Sequence, residues 1–89
     1  MEVIMLTGTL AEKSEKKKSK SGFDYIRFRV LSEGRENLYR CYCYNMDFTD
    51  MQKGDKVFVA GDLEISKKMD AAGKERTNLD VYVKKIELL

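Results

Sequence analysis

Apolar and polar residues alternate with period two along most of this chain, the spacing of half-buried strands rather than of helices. The first such stretch covers residues 3–10. The second, residues 23–32, sets Ile26, Phe28 and Val30 on one side and Tyr25, Arg27 and Arg29 on the other. After a tight turn at Glu33-Gly34-Arg35, the third stretch runs over residues 37–45. There Tyr39, Cys41 and Cys43 alternate with Leu38, Arg40, Tyr42 and Tyr44. A fourth covers residues 56–66, with Val57 and Val59 against Phe58 and Ala60, and a fifth runs from Thr77 to the end of the sequence. Between them lie a polar segment at 11–22, expected as a mobile loop closed by Ser21-Gly22, and a second polar loop at 67–76. Residues 46–53 have room for only one or two helical turns, and Gly54-Asp55 is a turn signal.

Gly8 and Gly61 fall inside strand patterns, where glycine costs stability unless the strand bends or bulges. Long strands wrapped round a small barrel require such bends. Five strands, a kink in the first and fourth, and long loops after the same two predict an all-β, five-stranded Greek-key barrel of the OB-fold type with little or no helix. A small SH3-like barrel or sandwich is the rival. No repeat and no linker divides the chain, so residues 1–89 are expected to form one domain.

Composition agrees with this picture and narrows it. With 43 % hydrophobic and 36 % charged residues the chain is neither disordered nor membrane-spanning. At 89 residues the core is thin. Glu2 and Thr7 interrupt the only apolar stretch near the amino terminus, so no signal peptide is read and the expected location is cytoplasmic. Cys41 and Cys43 stand too close along one strand for a disulfide and are expected as small buried thiols. The chain holds no histidine, no nucleophile-elbow serine and no phosphate-binding GxxxxGKS loop. Neither an enzyme nor a metal or cofactor site is expected.

Charge is distributed unevenly. From Glu12 to Arg29 there are seven basic and three acidic residues, a local +4 within a chain whose net charge is +2. One end of the molecule should therefore be basic, the footprint of a partner with regularly spaced negative charge, although a lysine-rich loop also serves plain solvation. Binding single strands without reading sequence requires cations for phosphates and flat aromatic groups for bases. If the second and third strands are neighbours with their apolar residues inward, Tyr25, Arg27 and Arg29 join Arg40, Tyr42 and Tyr44 on one outer surface. The plain alternative is that Tyr and Arg suit the solvent side of any sheet. Lys16, Lys17, Lys18 and Lys20 in the first loop, with Lys67, Lys68, Lys74 and Arg76 in the second, are expected to extend the track as flexible cationic arms. Tyr39 and Tyr82 are left unassigned, although Tyr39 shares the parity of the cysteines, which favours the core.

Several segments, in one order, also resemble bacterial single-stranded DNA-binding proteins. They are Met5-Leu6-Thr7-Gly8-Thr9-Leu10 at the first strand and Ser21-Gly22 before the second. Gln52 to Leu63 is similar to the family's K-G-x-x-V-x-V-x-G-x-L, and Asp70 to Thr77 to its turn before the last strand. The resemblance implies an OB-fold and single-stranded DNA as partner, in replication, recombination or maintenance of a mobile element. The chain departs from the family in having no tryptophan, with Leu38 where one usually opens the third strand and Tyr44 at the usual aromatic near its end. The helix between the third and fourth strands is nearly gone, and no acidic-tipped tail is expected after Leu89. Short, tailless relatives resemble primosomal replication protein N, a dimeric member of the same superfamily with an aromatic near Tyr42. A homodimer is expected, with a tetramer as the runner-up. Two other readings stay open: an interaction module docking to a primosome, helicase or other replication proteins, and an RNA-binding OB protein, since nothing selects for or against a 2′-hydroxyl.

Overall fold

The computed structural model describes residues 2–34, 37–44 and 51–89. Six strands follow one another: β1 (Glu2–Leu10), β2 (Glu15–Lys18), β3 (Asp24–Ser32), β4 (Leu38–Tyr44), β5 (Lys56–Met69) and β6 (Glu75–Leu88). They form one sheet in the order β1-β5-β6-β4-β3-β2, which a further β1–β3 pairing closes on itself. All neighbours are antiparallel except β4 and β6, which run parallel. The five-stranded Greek-key OB barrel expected from the pattern is therefore present, with β2 added outside it. The expected helical turn at 46–53 and the ends at Arg35 and Asn45 fall wholly or partly outside the described residues.

Alternation explains the interior. Ile26, Phe28 and Val30 of β3 are buried with Cys41 and Cys43 of β4, Val57 and Val59 of β5, and Val81 and Val83 of β6; Leu10 and Met51 complete the core. Tyr39 packs against that cluster from its edge. Both thiols are free and buried, and burial pushes the Cys43 thiol up to about 12 and that of Cys41 higher still.

Two polar segments differ from expectation. Residues 15–18 are not loop: Glu15 to Lys18 pair antiparallel with Arg27 to Asp24 along an edge of β3 that β1 does not reach. A turn follows in which Ser19 N donates to Phe23 O and Phe23 N to the Ser19 hydroxyl oxygen, with Gly22 at φ +86°. Likewise the ladder of β5 and β6 continues to the Met69–Glu75 pair, so Lys67, Lys68 and Arg76 stand on strands of a hairpin arm. Only the tip is a loop. There the Asp70 carboxylate accepts from the amides of Ala72 and Lys74 and from Arg76 Nε, and Gly73 supplies φ +79°. These amide and guanidinium donors hold the Asp70 carboxyl below its usual range.

The two strand glycines are where the barrel bends. Ala60 pairs with Lys85 but Gly61 with Val83, which leaves Lys84 as the extra residue of a β-bulge. A Cβ on Gly61 would collide with the Tyr82 carbonyl, and one on Gly8 with the Leu31 carbonyl and, at 2.6 Å, with Val30 Cγ1. Gly8 is also the residue at which β1 pairs with β5 on one edge and with β3 on the other. Substituting Ala at either position is expected to destabilise the fold by about 1–3 kcal/mol through overpacking against backbone. Thermal unfolding followed by circular dichroism should then show Tm falling by roughly 4–8 °C per kcal/mol; an unchanged Tm would contradict the close approach.

Candidate nucleic-acid interface

With the apolar residues of β3, β4 and β6 inward, the alternate residues share one outer surface. Register sorts them into rows. Lys17, Tyr25 and Tyr44 form the first row across β2, β3 and β4. Glu15, Arg27, Tyr42, Tyr82 and Asp62 form the second, from β2 through β6 to β5. Arg29, Arg40, Asp80 and Glu64 make the third, and Leu31 beside Leu38 the fourth. The surface expected from parity, with Tyr25, Arg27, Arg29, Arg40, Tyr42 and Tyr44 outward and the cysteines inward, is the arrangement found.

Four tyrosines make one connected array. Tyr25 stacks on Tyr44 with ring centroids 5.1 Å apart and an interplanar angle of 28°. Tyr42 stacks on Tyr82 at 5.7 Å and 24°, and Tyr25 and Tyr42 bridge the two pairs at 6.3 Å and 49°. Offset stacks of this kind stabilise by about 0.5–1.5 kcal/mol per pair beyond burial. Tyr82 is the member that sequence reasoning missed. Its signal was present, because Leu79, Val81 and Val83 alternate with Asp80 and Tyr82.

The cations are not bare. Arg27 Nη2 lies 3.2 Å from Glu15 Oε2, and Arg29 Nε is 3.2 Å from Glu12 Oε1. Lys17 also reaches Glu15, which together with Arg27 lowers the pKa of that carboxyl. Arg40 Nε and Nη2 donate to the two oxygens of Asp80 at 2.6 and 2.9 Å. That bond raises the Arg40 guanidinium above its ordinary pKa. Carboxylates at the face were not anticipated from the sequence, since each lies far along the chain or on a segment expected to be loop.

The lysine-rich segments divide. Lys17 lies in the tyrosine row, whereas Lys16 and Lys18, opposite Ile26 and Asp24, have the other parity. On the hairpin arm, Lys68 and Arg76 are register partners on the parity of Tyr82, and Lys67 opposite Thr77 is not. Lys67 pairs with Glu75 and Arg76 with Asp70. Lys20 and Lys74 stand in the two turns. Among the described residues no cluster of His, Cys, Asp and Glu is arranged to hold a metal, and no helix is long and apolar enough to cross a membrane.

Burial raises the Tyr42 and Tyr82 phenol pKa values, helped by the nearby carboxylates Asp80 and Glu64. A phenol whose pKa is raised by folding adds stability that is complete below its ordinary value of 10.0 and is lost as pH rises through the folded value. Ultraviolet titration of the wild type beside Tyr42→Phe and Tyr82→Phe should therefore show that each substitution removes a phenol ionising above 10.0; if the ionisation that each removes lies at or below that value, the packing of this face is contradicted.

The architecture matches that of solved single-stranded DNA-binding proteins. A small single-stranded DNA-binding protein from Streptomyces coelicolor superposes with TM-score 0.78 at 18 % identity, covering 98 % of this chain and 93 % of its own. Mitochondrial Rim1 of S. cerevisiae gives 0.74 at 20 % identity, covering 99 % and 94 %. A Plasmodium falciparum protein solved in complex with single-stranded DNA gives 0.65 at 18 %, covering 100 % and 93 %. No curated protein sequence matches significantly. The sequence itself fits the Single-strand binding protein family over residues 1–89, its whole described span included, and the chain belongs to that family.

Proposed function

We propose that this protein binds single-stranded DNA without reading its sequence, along the outer face of β3, β4 and β6, as a binder and not as an enzyme. The observation that carries the reading is the connected array of Tyr44, Tyr25, Tyr42 and Tyr82 with Arg27 and Arg29 beside it. Membership of the Single-strand binding protein family supports it. Bases offer a π-face whatever their identity, so aromatic stacking is tolerant of sequence, and each base stacked contributes about 1–3 kcal/mol. Arg27 and Arg29 meet phosphates once these displace Glu15 and Glu12, a modest demand because exposed ion pairs contribute only ~0–1 kcal/mol. Lys17, Lys68 and Arg76, which share the parity of the tyrosines, lengthen the track toward the β2 hairpin and the β5–β6 arm. Lys16, Lys18, Lys20, Lys67 and Lys74 add to the positive field without facing the rings. Nothing on this face is specific for deoxyribose, so oligo(U) is the comparison that ranks RNA against DNA. Two free, buried thiols fit a reducing, cytoplasmic setting, and a role in replication, recombination or mobile-element maintenance follows from the ligand.

Self-association belongs to the same reading. Among the described residues, β1 from Glu2 to Thr7 pairs with β5 alone and no strand lies on its other edge, and its outward Val3 and Met5 are 79 % and 71 % exposed. An open edge bearing large apolar side chains favours a second copy. We expect a homodimer by light scattering at micromolar concentration, with Met5→Asp shifting it to monomer; a wild-type monomer would refute the assembly.

Anisotropy of labelled oligo(dT) tests the function. Tyr42→Ala or Tyr44→Ala should each weaken binding by about 1–3 kcal/mol, and log affinity should fall with log salt at about 0.7 per phosphate neutralised. Failure of the wild type to bind, or full affinity in the double variant, would sink the proposal.

A further inference from the structure

The three arginines on the face are held in two different ways. Arg27 and Arg29 each make a single contact of 3.2 Å with a carboxylate that is itself about half exposed. Contacts of that kind are screened by salt and readily exchanged. Arg40 is different. It makes two bonds, to both oxygens of Asp80, whose side chain is only 13 % exposed. The two residues are also direct partners in the β4–β6 register, next to the stacked pair Tyr42 and Tyr82. Bidentate Arg–carboxylate pairs combine strength with a fixed plane.

Arg40 also stands directly opposite Arg29 across β3 and β4. Like charges in that relation repel, and Asp80 cancels one of them. The result is a planar group, 39 % exposed, with its charge already answered, lying in the row beside two stacked rings. Guanidinium is weakly hydrated and lies flat on aromatic faces, so such a group suits a base better than a phosphate.

We infer that Arg40 engages single-stranded nucleic acid as a stacking platform for a base, that Asp80 is the positioning residue which makes it so, and that Arg27 and Arg29 take the phosphates. The inference rests on the single-strand binding proposed above. A neutral Arg–Asp pair releases no counterion, so the contribution of Arg40 is independent of salt, whereas those of Arg27 and Arg29 are not.

Oligo(dT) anisotropy over a salt series separates these roles. Arg27→Gln or Arg29→Gln should each lower the slope of log affinity against log salt by about 0.7. Replacing the pair together, Arg40→Gln with Asp80→Asn, removes the guanidinium without unmasking a carboxylate and should weaken binding roughly tenfold at every salt concentration, the size of one lost stack, with the slope unchanged. Asp80→Asn frees the guanidinium and should steepen the slope by about 0.7, and Asp80→Glu should restore it. If the double variant Arg40→Gln/Asp80→Asn flattens the slope as Arg27→Gln does, the inference is overturned; so it is if a folded Asp80→Asn keeps the wild-type slope. Should Asp80→Asn alone fail to fold, the slope of the charge-neutral double variant decides. A wild type that binds no oligo(dT) removes the single-strand reading itself, an outcome distinct from any redistribution of slopes among binding variants.

Discussion

The register between β3 and β4 is the constraint on which the proposed binding face depends. Phe28 lies opposite Cys41 and Ile26 opposite Cys43, and all four are buried, so the ribbon is pinned to the barrel from within. Side chains alternate with period two, and a slip of one residue would carry every outward group to the other side. Tyr42 and Tyr44 face outward because their small thiol neighbours fill the interior beside the bulky Phe28. The same pinning carries through β4 to β6, where Cys41 pairs with Val81 and Tyr42 therefore meets Tyr82. The core thus determines which groups ligands can reach.

Electrostatics on that face is a matter of partner strength rather than of charge count. Glu12, Glu15 and Asp80 each answer one arginine, so the face is far less cationic than its arginines alone would make it. Two of those carboxylates are exposed and touch at one point, and they compete weakly with a phosphate. The third is shielded and doubly bonded, and it keeps its arginine. A surface with three equivalent arginines would bind more strongly at low salt and lose more of that binding as salt rises. Pairing one of them permanently exchanges salt-sensitive attraction for a flat surface.

Much of this was legible in the sequence because burial on one side leaves an alternating trace. The five barrel strands, the two glycines inside strands, the inward thiols and the outward Tyr/Arg sets all follow from that trace. Where neither side of a strand is buried, no trace exists. Glu15-Lys16-Lys17-Lys18 forms a strand only because β3 offers an open edge, and its four exposed side chains alternate nothing. Lys67 to Met69, with Glu75 and Arg76, extend the β5–β6 ladder past the barrel into solvent, and they too resemble loop in composition. The Arg40–Asp80 pair was hidden for another reason. It joins residues 40 positions apart across a parallel pairing, and a parallel register has no hairpin turn to reveal it.

The absence of tryptophan bears on how such a face can work. Aromatic area that a few indoles would supply is spread here over four smaller rings in contact with one another, and the proposed reading adds one guanidinium in the row beside them. Rings that touch are not independent: removing one frees its neighbour to reorient, so single losses understate the contribution of the array. Tyr25 and Tyr42 sit at the centre of the chain of contacts, each touching two rings, and removal of either would break one stacked pair and the bridge to the other. Tyr44 and Tyr82, at the two ends, each touch one ring, and their loss would perturb the others least. Coupling energy should therefore be greater for the touching pairs built on Tyr25 and Tyr42 than for Tyr44 with Tyr82, because position within the array and not exposure decides how much each ring supports its neighbours.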